Sequence, residues 1–389
     1  MFSGLGLVFR SVTGLPSAYV YAPLWALCYG LTLTVHAPIR QTLVWLYPLP
    51  AAMVLSSILS DDPLAALPYV AMFCLSIRCG VVLARILSAE EFATLLWKAA
   101  LMLGLVGLIG YAIDLPQMRF ADGLERSNLL GLPPFNGLFA HKTDAGRAMF
   151  TVLAITVVLR PRGWPFLVLF FGFILFMSGS MGAIAFGAAS LAIGVSFLVL
   201  LPVSVPLTLF VVALVSAAGY LAFPLIPTEG TFGGRDLSNL TGRTDIWQAA
   251  FAAIGDRLWL GFGYGLAEES RYFLSRLYQL NDGNYLPPHF HNIFVQALMD
   301  GGLVGLGIMV MTIAAMLARL GRLARSSANS GARALLMVLL FLILNGMTEV
   351  TFSYNTLGAL LIGFVLSRDF RSQSPSRTVR KTNIGARTR

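Results

Sequence analysis

Residues 293–317 read IFVQALMDGGLVGLGIMVMTIAAML, an apolar run whose one charge is Asp300. At 1.5 Å per helical residue, a run of this length crosses a hydrocarbon core about 30 Å thick. Comparable runs recur along the chain, at Ala18 to Val35, Thr42 to Leu59, Leu64 to Leu83, Phe92 to Ile113, Ala145 to Leu159, Trp164 to Met177, Met181 to Leu201, Val205 to Phe223, Ala334 to Met347 and Phe352 to Leu366. The composition agrees: of 389 residues 57% are hydrophobic and 12% charged, where a soluble domain carries roughly 25% charged residues. So few charges cannot cover a water-facing surface, which excludes a soluble enzyme, a coiled coil or a disordered chain. The expected fold class is all-α, a polytopic integral membrane protein with about 11 transmembrane helices (roughly 10–12) and a large helical extracytoplasmic loop.

The net charge is +9. The segment after Leu366 holds seven basic residues and one acid, so the surplus is mostly a tail suited to an anionic membrane face rather than to nucleic acid. Short connections carrying Arg40, Arg85, Arg160 and Arg162, then Arg319 to Arg333, alternate with uncharged or acidic ones, and by the positive-inside rule they face the cytoplasm. The Asp61-Asp62-Pro63 turn, the loop of about 114–144, the segment 224–291 and the turn at Glu349 then face outward. The expected organisation is therefore N-terminal membrane helices over 1–223, the extracytoplasmic segment 224–291, C-terminal membrane helices over 292–367 and a basic cytoplasmic tail at 368–389. Cys28, Cys74 and Cys79 lie within apolar runs and form no disulfide or metal pattern. The N-terminus lacks the pattern of a removable signal peptide, so Ala18 onward reads as a true first span.

Two outer segments are too long to be plain turns. In the second, Trp247, Ala250, Phe251, Ile254 and Leu258 recur at three-to-four spacing, which predicts a helix with one apolar face. Arg119, Arg126, Lys142 and Arg147 cluster in or beside the first, and Arg235, Arg243, Arg257, Arg271 and Arg276 in the second. Long loops escape the positive-inside rule, so one reading of these is solvated surface charge; the functional alternative is an anion site, because guanidinium forks match phosphate oxygens. Of the four histidines, His141, His289 and His291 sit in these same segments near helix starts, where they read either as caps or as groups able to take a proton near neutral pH.

His291-Asn292 is followed by the apolar run to Asp300 and by Gly302-Leu303-Val304-Gly305. Upstream stand Gly137-Leu138-Phe139-Ala140-His141-Lys142, then Thr241-Gly242-Arg243 with Trp247, then Leu260-Gly261-Phe262-Gly263-Tyr264-Gly265. In this order the pieces resemble the O-antigen ligase and O-antigen or exopolysaccharide polymerase family of membrane glycan transferases, over about 137–305. Met181 follows the Ser178-Gly179-Ser180 turn where relatives often have a basic or hydroxyl residue, and Asp300 stands where many have Glu.

The resemblance implies a donor oligosaccharide linked through pyrophosphate to a polyprenol, a glycan acceptor, a multi-pass protein of the bacterial inner membrane and an active site facing the periplasm. It implies no cofactor; export or chain-length proteins are candidate partners. Arg243 is the first candidate to stabilise the leaving pyrophosphate, with Arg147, Lys142 and Arg257 behind it. His291 is the candidate base for the acceptor hydroxyl, with Asn292 holding its ring or a sugar hydroxyl. A competing reading makes His291 a phosphate contact and gives deprotonation to His141 or Glu349. No Asp-x-Asp occurs in the outer loops, so a metal-independent glycosyltransferase is expected. A polymerase of lipid-linked repeat units is the first functional reading. A ligase that moves the finished glycan to lipid A core is the second, and a lipid-linked sugar transporter the third.

Overall fold

The structure is a computed structural model. It describes residues 30, 46–119, 128, 131–139, 141–199, 231–232, 235–236, 243–281, 287, 289–325, 329–353 and 356–367. The expected span at Val205 to Phe223 and the basic tail lie outside the described residues, as does that at Ala18 to Val35 apart from Gly30.

The regular structure of the described residues is helical save for one short antiparallel pair of strands, β1 (Thr231–Phe232) and β2 (Arg235–Asp236), with Thr231 opposite Asp236. Its helices are α1 (Pro48–Ile58), α2 (Pro63–Ile86), α3 (Ala89–Ala112), α4 (Lys142–Leu159), α5 (Trp164–Ser178), α6 (Met181–Val199), α7 (Arg243–Ala253), α8 (Arg271–Asn281), α9 (Ile293–Ala324), α10 (Ser330–Asn345) and α11 (Leu357–Ser367). Among the described residues α2, α3 and α9 are long and apolar enough to cross a membrane, while α1, α5, α6, α10 and α11 are apolar but shorter.

Local chemistry sets the ends. Pro63 opens α2 behind Asp62, whose carboxylate accepts the Ala65 N–H at 3.0 Å. Ser88 and Glu91 form a reciprocal capping box at α3. Asn292 caps α9 by accepting from Phe294 and Val295 at 2.8 and 3.2 Å.

The membrane helices share one apolar core, in which Phe92 stacks on Phe364 at 4.1 Å between centroids and Phe150 meets Phe341 at 4.3 Å. α2 and α11 touch backbone to backbone. A Cβ on Gly80 would overlap the Leu360 carbonyl, and one on Gly363 the Ile77 carbonyl, the close approach that small residues permit between helices in lipid.

A second core belongs to the lobe of α7 and α8. Ile246, Ala249, Ala250, Ala253 and Ile254 pack with Phe273, Leu277 and Phe290 onto Val295, Leu298 and Met299 of α9. The expected apolar face of this segment is borne out in part: Ala250 and Ile254 are buried and Trp247 packs against them, but Phe251 and Leu258 are exposed and the helix ends at Ala253, passing into a 3₁₀ turn at Ile254–Arg257. α9 is broken at Gly302, where φ is 61° and ψ −162°, a conformation open to glycine alone at low cost. The Leu303 and Val304 N–H groups, deprived of helical partners, donate to Leu258 O at 2.8 Å and Trp259 O at 3.2 Å.

Candidate functional site

Four segments meet at one end of the bundle: the start of α4, the start of α7, the residues before α9, and the connection from α10 to α11. Backbone and cap contacts bring them together. Ile293 N–H donates to Gly346 O at 2.8 Å, and Asn292 Nδ2 to Met347 O at 3.1 Å. Trp247 Nε1 donates to Phe290 O at 2.8 Å, which ties α7 to the histidine segment. Arg147 Nη1 donates to Val350 O at 3.0 Å, which ties α4 to the α10–α11 connection.

Glu349 stands at the junction, with its side chain 7% exposed. Its Oε1 accepts from Arg243 Nη2 at 2.9 Å, and its Oε2 lies 3.8 Å from His291 Nδ1. Burial pushes the Glu349 carboxyl up, but the His291 imidazole together with the Arg147 and Arg243 charges outweighs burial and holds it at about 2. It is an anion at any pH the cell meets. Arg147 is also paired to Asp144, one turn back on α4.

His291 adopts φ 51°, the left-handed region that a non-glycine residue occupies at a cost of about 1–3 kcal/mol. Its N–H donates to His289 Nδ1 at 3.2 Å, and the two rings meet edge-on with centroids 4.1 Å apart. Burial, then the neighbouring His291 charge, drives the His289 imidazole down to about 3, so it is neutral at pH 7. His141 caps α4, its Nδ1 accepting the Thr143 N–H at 3.2 Å. Burial lowers its imidazole too, opposed by the charges of Asp144 and Glu349.

Of the residues singled out in the sequence, the structure gathers Arg243, His291, Asn292, Arg147 and Glu349, with His141 and the buried Lys142 at the adjoining start of α4. Arg257 stands elsewhere, donating to Leu59 O at 2.7 Å and pairing with Asp61 at the α1–α2 turn. One contributor, Asp144, is signalled in the sequence only by its i,i+3 spacing to Arg147. His289, read there with His141 and His291 as a cap or proton acceptor, is the packing partner of the His291 ring, as their i,i+2 spacing in a non-helical turn allows.

A second polar cluster lies deeper. Gln296 Nε2 donates to Glu268 Oε1 at 2.8 Å and to Asp300 Oδ2 at 3.0 Å, and Asp300 Oδ1 accepts from Gly265 N–H at 3.2 Å. Burial raises the Glu268 carboxyl. The 261–265 glycine run is thereby fastened to α9, with Phe262 N–H on Met299 O at 2.8 Å.

Donor atoms of His289, His291 and Glu349 lie within 4.8 Å of one another, a spacing that a transition metal accepts. Arg243 already occupies one Glu349 oxygen and the Arg147 charge acts on the same carboxylate, so a cation entering here would meet two positive neighbours. An anion meets the opposite situation. The arrangement offers guanidinium groups, an imidazole beside a carboxylate and a neutral second imidazole, groups of the kind that serve acyl, phosphoryl or glycosyl transfer to a hydroxyl.

Residues 166–310 match the family model described as O-antigen ligase. That stretch includes Arg243, His289 and His291, while His141, Arg147 and Glu349 come from either side of it. No curated protein matches the chain. Over that stretch, a little over a third of the chain, the sequence is similar to an O-antigen ligase domain, in keeping with its motifs and with the apolar helices of a membrane protein.

Proposed function

From the O-antigen ligase match over residues 166–310, we propose that this chain is a metal-independent glycosyltransferase that polymerises polyprenyl-pyrophosphate-linked oligosaccharide repeat units into an exopolysaccharide or O-antigen. In this reading it works in the bacterial inner membrane with its site facing the periplasm. The observation that carries it is one buried carboxylate, Glu349, placed between Arg243 and His291.

The reaction divides between the two neighbours of Glu349. With its Nδ1 turned to Glu349, His291 presents Nε2 as the base that removes the acceptor hydroxyl proton. The freed oxygen bonds to the anomeric carbon as the bond from that carbon to the phosphate oxygen breaks. The electron pair leaves on the pyrophosphate, whose charge Arg243 and Arg147 stabilise, with Lys142 and His141 as further contacts. The buried edge of the site strengthens these interactions over their worth in water. Asn292, tied to Met347, fixes the turn that carries His291. Arg257, at the α1–α2 turn, is left out of the reaction.

A ligase that transfers the finished glycan to lipid A core is the second reading, favoured by the description of the matching family. Purified protein given a polyprenyl-pyrophosphate oligosaccharide distinguishes them on a gel. A ladder without added core supports the polymerase. One shift that appears only with core supports the ligase. Bilayer crossing of the donor that survives His291→Ala, without any transfer product in the wild type, would turn the reading to a transporter. Activity that disappears with chelator and returns with a divalent ion would overturn metal independence.

A further inference from the structure

Phe251, Leu258 and Trp259 belong to the lobe rather than to a membrane helix, yet all three are exposed, Trp259 to 67%. Their position relative to two spanning helices says what meets them. The Leu258 and Trp259 carbonyls accept from Leu303 and Val304, just past the break in α9. From Leu303 to Ala324 α9 continues for about 22 residues, roughly 33 Å, the thickness of the hydrocarbon core. Leu303 and Val304 are themselves exposed, as are Val310 and Met311 further down, so this side of α9 faces lipid.

A second span gives the same level. Arg257 binds Leu59 O and Asp61, the turn from which α2 starts its membrane crossing at Pro63. Ile58, Leu59 and Leu64 are exposed around that turn, Leu64 to 82%. Exposed apolar side chains thus stand on α1 and α2, on the segment at Leu258 and Trp259 that Arg257 joins to them, and on α9. The Asp61–Arg257 pair stands at that junction, with Asp62 and Asp256 next to them in sequence. An apolar ring bordered by charge at the end of a spanning segment is where tryptophan settles in a membrane, its ring among the upper acyl chains.

We infer that the segment from Phe251 to Trp259 is a bilayer anchor, in which Trp259 and Leu258 insert between lipid acyl chains at the membrane boundary and fix the height of the α7 lobe above it. Two features support insertion over simple exposure. The Leu303 and Val304 N–H groups would otherwise stand unpaired at the hydrocarbon edge, and the segment supplies their acceptors from within the protein. Phe251, the large apolar residue of α7 that the lobe core leaves exposed, belongs to the same segment. The anchor stands independently of which reaction the site performs.

The test uses the full chain in nanodiscs, comparing wild type with Trp259→Phe so that the difference isolates one of the six tryptophans. Phosphatidylcholine brominated near the top of its acyl chains should remove at least half of the difference emission, and aqueous iodide should remove much less. Iodide quenching that exceeds quenching by the brominated lipid overturns the proposal, and would point to a water-facing surface for a protein partner. Trp259→Tyr gives the same difference should the phenylalanine variant express poorly.

Discussion

Replacing Glu349 by Gln keeps the shape of the side chain and removes the charge shared by Arg243 and His291. Its effect can be worked from the geometry. A full charge 3.8 Å from an imidazolium at an effective dielectric of about 20 is worth roughly 4 kcal/mol, about a thousandfold in rate if all of it appears in the transition state. Arg243, 2.9 Å from the same carboxylate, and the Arg147 charge offset part of that field. We therefore expect E349Q to lower kcat for glycan transfer about 10²-fold, with a smaller change in KM. Initial rates on a polyprenyl-pyrophosphate oligosaccharide over a range of donor concentrations give both quantities. A kcat within about threefold of wild type would refute the role given to Glu349.

Arg147→Ala should lower the transfer rate about 10²-fold, the usual loss for one preorganised donor to a developing anion, whereas Arg257→Ala should leave the rate near wild type and cost about 1 kcal/mol of stability or less; equal rate losses in the two would remove the distinction. Stability should fall as pH drops. His289 stays neutral in the fold down to about 3 while the unfolded chain takes up its proton near 6.5, so stability is lost between those values. Glu349 adds to the loss from its ordinary value of 4.5 down to about 2, where the folded carboxyl protonates. Thermal unfolding in detergent from pH 7 to 3 should therefore decline less steeply for His289→Asn than for wild type; parallel curves would refute the buried neutral imidazole. Gly302→Ala forces a side chain against the Trp259 backbone at a positive φ, and should destabilise by about 1–3 kcal/mol or more, read by the same melt.

Much of the helical layout was legible because apolar runs mark spans directly, as at Leu64 to Leu83 and Trp164 to Met177, which fall within α2 and α5. The departures have physical reasons. α4 starts three residues before the expected Ala145 because His141 caps it. α11 starts at Leu357 rather than Phe352, because the preceding residues form the connection whose Val350 carbonyl serves Arg147. On α7 and the turn after it, Trp247, Ala250 and Ile254 pack into the lobe as their spacing predicts, while Phe251 and Leu258 depart because the helix ends at Ala253 and its period stops there. At the site, residue types and helix-start positions pointed to Arg243 and His291. What joins them is a carboxylate 106 residues from Arg243 along the chain, and no local pattern connects positions so distant. The place of Arg257 was equally hidden, because a guanidinium in an outer loop looks the same whether it faces a ligand or Asp61.

The contact of α2 with α11 bears on how the chain is made. Gly80 and Gly363 are roughly 280 residues apart, and neither can reach its neighbour until the last membrane helix has left the ribosome. Through nearly the whole of synthesis, then, α2 must wait in the bilayer with its seat for α11 vacant. A stop codon placed before Leu357 would leave that seat vacant for good, exposing the N-terminal half to the membrane's quality-control proteases although every residue in it is unchanged.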